Sequence, residues 1–548
     1  MKRITIITLF ILSLVSLSAQ EHEVIEIIYE GNATVNVPET VSDVTSTVNG
    51  ANVTITSNTT DKEYTYLVKG SSSDGSLTIN GDYKLTLQLA GLSLTNNHGG
   101  AAIDVECGKR IAVEMVDGTV NTLSDAANGG QKAAFYFKGH AEFKGSGTLN
   151  VTGNTKHAIS AKEYIELKST TGTINILGAV GDGIHCGKGK ANNENNYFRM
   201  KGGIVNITNV GGDGVDSDDY GVIRIEGGAI SLNIGDDATG LKADSTVTIK
   251  DGLVNISVKG NDSKGIRANH TINILGGKTT IIGEGDGTKG IKANRDEDNV
   301  LNGGFLNISG GKLSIQCTGG NLTTESGTNK CVAISVDADL LQTAGHVDIT
   351  VMGAEALGCT VDGNKTHHGG TFSIQRIPWK VLTSDYQYDM SVYVAVSSND
   401  IRVTNYSNLA IGAFIGDACV GFGVFGKEGY GVIRVKNNDI SAQPIAFRIY
   451  NYSIEKEYVS ATSKDVIFES NSVAGEPDNP IILSYSPSFT GDVNGDGIIN
   501  ATDIVEVVNY IMGSPSNRFV FSKADMNNDG TVDETDITNI VNTIMTTK

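Results

Sequence analysis

Gly240-Leu241-Lys242-Ala243, Gly265-Ile266-Arg267-Ala268 and Gly290-Ile291-Lys292-Ala293 repeat one pattern at a constant interval: small, apolar, polar, small apolar. Outward from these copies it continues N-terminally as Gly214-Val215-Asp216-Ser217, Gly183-Ile184-His185-Cys186 and Ala158-Ile159-Ser160-Ala161. C-terminally it recurs as Ala333-Ile334-Ser335-Val336 and Gly358-Cys359-Thr360-Val361. The step from Gly240 to Gly265 returns between Gly265 and Gly290, Ala158 and Gly183, and Ala333 and Gly358, whereas those from Gly183 to Gly214 and from Gly290 to Ala333 are longer. A core period persists while insertions lengthen some turns. A second element places glycine before strict alternation, as in Gly202-Gly203-Ile204-Val205-Asn206-Ile207 and Asp251-Gly252-Leu253-Val254-Asn255-Ile256. A third short apolar run, as at 222–225, 247–249 and 272–274, precedes many of these. Three strands per repeat predict a mainly β chain whose residues 45–374 form a right-handed parallel β-helix.

Alternation along each strand sends Ile266 and Ala268 inward and Arg267 and Asn269 outward. Rungs stack at about 4.8 Å, so equivalent outward positions line up as columns. One such column holds Lys242, Arg267 and Lys292, and a parallel one holds Asp244, Asn269 and Asn294. Together they offer cations to sugar carboxylates and amides to hydroxyls, and the competing reading is an ordinary solvated face. Asp213, Asp216, Asp218 and Asp219, with Asp182 one rung earlier and Asp236 and Asp237 on the next, form the coil's candidate calcium site. Exposed loop acids are the alternative. His367-His368 has no further ligands at metal spacing and reads as loop.

The formal charge of −20 excludes nucleic acid as the main partner, because phosphate neutralisation needs a basic face. Sixty-seven glycines against seven prolines indicate turn-dense β structure. Lys2 and Arg3, an apolar run to Leu17 and the small residues before Gln20 mark 1–19 as a signal peptide, hence an exported chain. No later stretch is apolar for the roughly 20 residues a transmembrane helix needs. Six scattered cysteines without CxxC spacing exclude a disulfide scaffold; Cys317 and Cys331, flanking a polar stretch, could form a single staple.

From Phe372 the period is lost and aromatics thicken; alternating runs between Gly, Asn and Asp turns predict a β-sandwich-like spacer over 375–485. The stretch 408–484 resembles a β-sandwich module that precedes C-terminal attachment modules in secreted gut-bacterial proteins.

The tail, 490–546, holds two oxygen-rich loops, one opening at Asp492 and its copy at Asp525. Asp492, Asn494, Asp496, Asn500 and Asp503 supply side-chain oxygens and Ile498 a backbone carbonyl; Asp525, Asn527, Asp529, Thr531, Asp533 and Asp536 repeat the set. Glycine at the sixth position, Gly497 and Gly530, permits the reversal. Apolar stripes follow each loop: Ile504, Val507, Val508, Ile511 and Ile537, Ile540, Val541, Ile544. Aspartate at both twelfth positions, and loops with no entering helix, resemble the type I dockerin family. That resemblance implies calcium, a cohesin-bearing scaffold as partner, and recognition through Ala501, Thr502, Glu534 and Thr535. A calcium-stabilised tail without such a partner is the alternative.

The coil in turn resembles the carbohydrate-binding β-helix family of cellulolytic clostridia, itself similar to calcium-dependent pectate lyases. This implies binding of cellulose or acidic plant polysaccharide. The leading expectation is therefore a secreted, non-catalytic polysaccharide-binding protein; a calcium-dependent polysaccharide lyase, with Lys242 or Arg267 as base, and an adhesin are the alternatives.

Overall fold

A computed structural model describes residues 23–546 except 188–195, 296–302, 354, 382–385, 399–400, 407, 426–428, 453–454, 486–489, 497 and 528. The predicted signal peptide and Gly497 lie outside the described residues. The chain divides into two units. The first comprises Met1–Ile315, Leu322–Asp348 and Cys359–Ser373, and the second Gln316–Asn321, Ile349–Gly358 and Ile374–Lys548.

The first unit is a coil of parallel strands. Its first face stacks the short-pattern strands, including His157–Ala161, Ile184–Cys186, Val215–Ser217, Thr239–Ala243, Lys264–Ala268, Lys289–Ala293 and Val332–Val336, all parallel. A second face runs through Tyr197–Met200, Val222–Ile225, Thr246–Ile249, Thr271–Ile274 and Phe305–Ile308. The third runs through Ile204–Val210, Ala229–Ile234, Leu253–Val258 and Lys278–Gly283. The β-helix read from the repeat is therefore present. Parallel stacking already includes Val24–Glu30, ahead of residue 45, because Val24–Glu30 pairs in parallel with Thr65–Ser72 and antiparallel with Asn32–Asn36. The hairpin closes the ladder at that end, where no repeat is needed.

Inward Ile266, Ala268, Ile291 and Ala293 are fully buried. Each isoleucine placed this way contributes about 1.5–3 kcal/mol of burial. The small first residue of the pattern has a steric cause. A Cβ on Gly265 would lie 2.5 Å from the Gly290 carbonyl oxygen and 2.7 Å from Ile281 Cγ2. Gly240 meets Gly265 and Ile256 in the same way. Gly252 answers a different demand, since its φ of 96° opens the turn into the third face. Gly265→Val is therefore expected to destabilise the coil by about 1–3 kcal/mol or more through overpacking. Urea denaturation checks this, and an unchanged midpoint would show that the rungs can spread. Cys317 and Cys331 are both fully buried.

In the second unit, one ten-stranded sheet orders Lys456–Val459, Ala446–Asn451, Leu409–Ile415, Ala418–Phe425, Gly431–Asn437, Tyr388–Ser398, Ile481–Tyr485 and Ala461–Thr462, with Ile401–Arg402 and Val473–Ala474 also paired to Tyr388–Ser398. It is mixed: Tyr388–Ser398 runs antiparallel to Gly431–Asn437 but parallel to Ile481–Tyr485. Val392, Val394, Ile433, Phe447 and Ile449 fill its core.

The tail folds as helices Ala501–Ile511, Phe521–Ala524 and Glu534–Thr546 around Val493, Val507, Ala524, Val532 and Ile540. Two expectations change here. The second loop does have an entering helix, Phe521–Ala524, but its single turn is too brief to show as a periodic pattern. The apolar stripes split as well: Ile504, Val507, Ile537, Ile540 and Ile544 pack in the core or against it, whereas Val508, Ile511 and Val541 are exposed. So small a core covers only one side of each helix. Among the described residues no helix is long and apolar enough to cross a membrane.

Candidate functional site

Strand register on the first face aligns Ser160, His185, Asp216, Lys242, Arg267, Lys292 and Ser335 in one outward column. The column is not uniform in charge, and it divides the sequence-predicted site in two.

At its N-terminal half, Lys242 Nζ lies 3.0 Å from Asp213, 3.2 Å from Asp216 and 3.9 Å from Asp218. Lys242 thus leaves the glycan column and becomes the counter-ion of the acidic cluster. Burial works against its charge, but Asp213 and Asp216 overcome that and hold the ammonium above the ordinary lysine range. Burial raises Asp213, and burial followed by the Asp216 charge lifts Asp218 to about 6. Asp219 does not join the cluster: its backbone N–H instead donates to Asp244. Asp236 accepts from the Asn261 N–H and braces the next turn.

Two histidines that spacing did not single out complete the group. His157 and His185 stack at 4.3 Å with a 9° interplanar angle. Their Nδ1 atoms stand 3.0 and 3.1 Å from Asp182 Oδ2. Burial opposes charge on His185, yet Asp182 and Asp216 outweigh it and raise the imidazole to about 9; burial keeps His157 below its usual value. His185 stands in the repeat at the position of Lys242, which was the available signal.

The other half of the column is basic. Thr239, Lys264 and Lys289 form an adjacent column beside Arg267 and Lys292. Lys264 pairs with Asp262 at 3.2 Å, Lys292 pairs with Asp337, and Lys289 donates to the Gly287 carbonyl at 3.4 Å. Among the described residues Arg267 has no carboxylate partner, its guanidinium donating to Asn269 Oδ1 at 3.4 Å. Four cations thus face two acids. Burial, then Lys264, holds Lys289 below the ordinary lysine value. Asn294 donates to Asn269 at 3.3 Å, so these two amides form a ladder beside the basic patch, while Asp244 belongs with the acidic turn. His367, expected in a loop, ends the strand Lys365–His367, where its Nδ1 faces the Oε1 of fully buried Gln342 at 3.0 Å.

In the tail, the Asp503 carboxylate is fully buried and ties the loop to its helix. Oδ1 accepts the N–H of Val493 at 2.8 Å and of Asn494 at 3.1 Å, and Oδ2 accepts that of Asn500 at 2.9 Å. Asn500 caps the helix by accepting from the Thr502 N–H at 2.7 Å. Asp536 repeats the device with Met526 and Asp533, at 2.7 and 2.9 Å. Asp525 accepts from Asp529 and Gly530. Burial raises Asp503 above the usual carboxylate range, an arrangement that a bound cation relieves. The donor set is all oxygen, and Gly495 and Gly530 supply the left-handed turns, at φ of 72° and 84°. These residues fit a hard divalent ion. In the first loop Lys523 Nζ stands 3.4 Å from Asp492. Ala501, Thr502, Glu534 and Thr535 are all exposed at the two helix starts.

Residues 490–545 match the type I dockerin domain, and residues 49–265 match the family described as "Carbohydrate-binding domain-containing protein". The chain joins a carbohydrate-binding domain to a type I dockerin. Type I dockerins bind calcium, and the loops of this dockerin carry the oxygens for it. The dockerin also implies a cohesin-bearing scaffold as partner, and the carbohydrate-binding domain a polysaccharide. Among solved structures, the chain is similar to the "polysaccharide lyase-like protein from C. thermocellum, Gadolinium derivative", at 17% identity and a TM-score of 0.26. That alignment covers 64% of this chain and 96% of the other. No curated protein matches the chain.

Proposed function

We propose that the protein is a secreted, non-catalytic binder of acidic polysaccharide, held on a scaffold by its calcium-loaded dockerin. The observation that carries this reading is the basic patch of Lys264, Arg267, Lys289 and Lys292 on consecutive rungs, beside the amides of Asn269 and Asn294. Rungs about 4.8 Å apart place cations at intervals that suit a polymer bearing repeated carboxylates. In the dockerin, Asp492, Asn494, Asp496, Asn500 and Asp503, with the Ile498 carbonyl, hold one calcium ion. Asp525, Asn527, Asp529, Thr531, Asp533 and Asp536 hold the other. Ala501, Thr502, Glu534 and Thr535 meet the cohesin, flanked by the exposed Val505, Val508 and Ile511.

Neither base named for a lyase is available. Lys242 is held protonated by three carboxylates, and arginine does not lose its proton. A lyase reading would rest instead on Lys289, which burial and the neighbouring Lys264 hold below the ordinary lysine value. Both readings are tested by incubating the full chain with polygalacturonate while following absorbance from unsaturated products. Retention without turnover is expected, and steady product formation would replace binding by lysis. Lys264→Ala combined with Lys289→Ala is expected to weaken retention on the acidic glycan about tenfold, each lost cation removing roughly 0.5–1 kcal/mol. Unchanged affinity would remove the patch from the proposal.

A further inference from the structure

We propose that His157, Asp182 and His185 bind one divalent transition ion of the zinc class, with Asp216 as a further oxygen ligand. The site goes beyond the glycan and dockerin readings and shares no residue with either. His157 opens one first-face strand, His185 is the middle residue of the next, and Asp182 lies in the turn just ahead of the latter. The two Nδ1 atoms converge on one oxygen, Asp182 Oδ2, at 3.0 and 3.1 Å, and Asp216 Oδ2 stands 3.4 Å from His185 Nδ1. Ligands about 2.0–2.2 Å from a tetrahedral ion lie roughly 3.3 Å from one another, so atoms now at hydrogen-bond distance need to separate only slightly to admit one.

The donor chemistry also selects the ion. Calcium takes six to eight oxygens, whereas two imidazole nitrogens and carboxylate oxygens suit zinc and its first-row neighbours. The all-oxygen side of the cluster, Asp213 with Asp216, is already turned to the Lys242 ammonium. The Asp182 backbone N–H donates to His157 Nδ1 at 3.1 Å, a hydrogen bond that an incoming ion replaces, and the parallel stack fixes both ring planes. Asp216 is 4% exposed, and its Oδ1 is buried without a hydrogen bond, the Lys242 ammonium at 3.2 Å being its ionic neighbour. An ion here would join three successive rungs, at His157, at Asp182 with His185, and at Asp216.

The test uses the full chain, stripped with chelator and then saturated with calcium so that the dockerin loops are filled. Cobalt(II) added to it is expected to bind at one equivalent with the visible absorption of a nitrogen-ligated, low-symmetry site, and zinc is expected to displace it. His185→Gln and Asp182→Asn should each weaken binding on the order of 100-fold. Circular dichroism confirms that each variant is folded, and Asp182→Asn serves where His185→Gln is not. Failure of the wild-type chain to retain cobalt or zinc would overturn the proposal, as would undiminished uptake by a folded variant or displacement of the ion by calcium.

Discussion

Lys242→Ala is expected to cost about 3–5 kcal/mol of stability, the usual penalty for leaving buried charge without its partner. The argument rests on burial as much as on distance. Asp216 and Asp213 have side chains only 6% and 14% exposed, and the lysine ammonium reaches both. Removing the cation leaves two carboxylates close together on one rung, with His185 as the remaining positive neighbour of Asp216. Lys242→Met keeps most of the side-chain volume, so a similar loss in both variants assigns the effect to charge and not to packing. Urea unfolding of the full chain in chelator measures it. A loss below about 1 kcal/mol would mean that water already screens the cluster.

The combined change Asp503→Asn and Asp536→Asn is expected to lower calcium affinity on the order of 100-fold and to abolish retention on a cohesin. Each residue works twice. Its carboxylate stands at the twelfth loop position, where the proposed calcium ion would be met, and the same oxygens collect the N–H groups that shape the loop and start the helix. An amide cannot accept through both of its heavy atoms, so geometry and charge are lost together. Calorimetric titration of the full chain with calcium checks the affinity, and a cohesin pull-down with and without chelator checks the consequence. Wild-type affinity in the double variant would show that these aspartates only scaffold the loops.

The β-helix was legible because its constraint is strictly repetitive. Gly265, Ile266 and Ala268 each recur at a spacing that only stacked rungs require, and the predicted inward and outward assignments follow from alternation. The dockerin was legible because cation coordination prescribes residue type at fixed intervals. The charged face was only partly readable. Lys242, Arg267 and Lys292 do share one column, but whether a column binds a ligand or satisfies itself depends on its neighbours across the turn, such as Asp213 and Asp337, and these stand outside the period. Lys264 and Lys289 went unnoticed because they precede the glycine that marks each rung. His157 and His185 meet only after the chain has travelled once around the coil.

The stretch of chain from Lys292 to Ser335 is far longer than that from Arg267 to Lys292, yet both pairs meet in the same register. The ladder is therefore indifferent to the length of chain that leaves and rejoins it. Such a scaffold separates what must be inherited intact from what is free to vary: turns can lengthen by small insertions, and new contact surface can be trialled there, without rewriting the strands beneath.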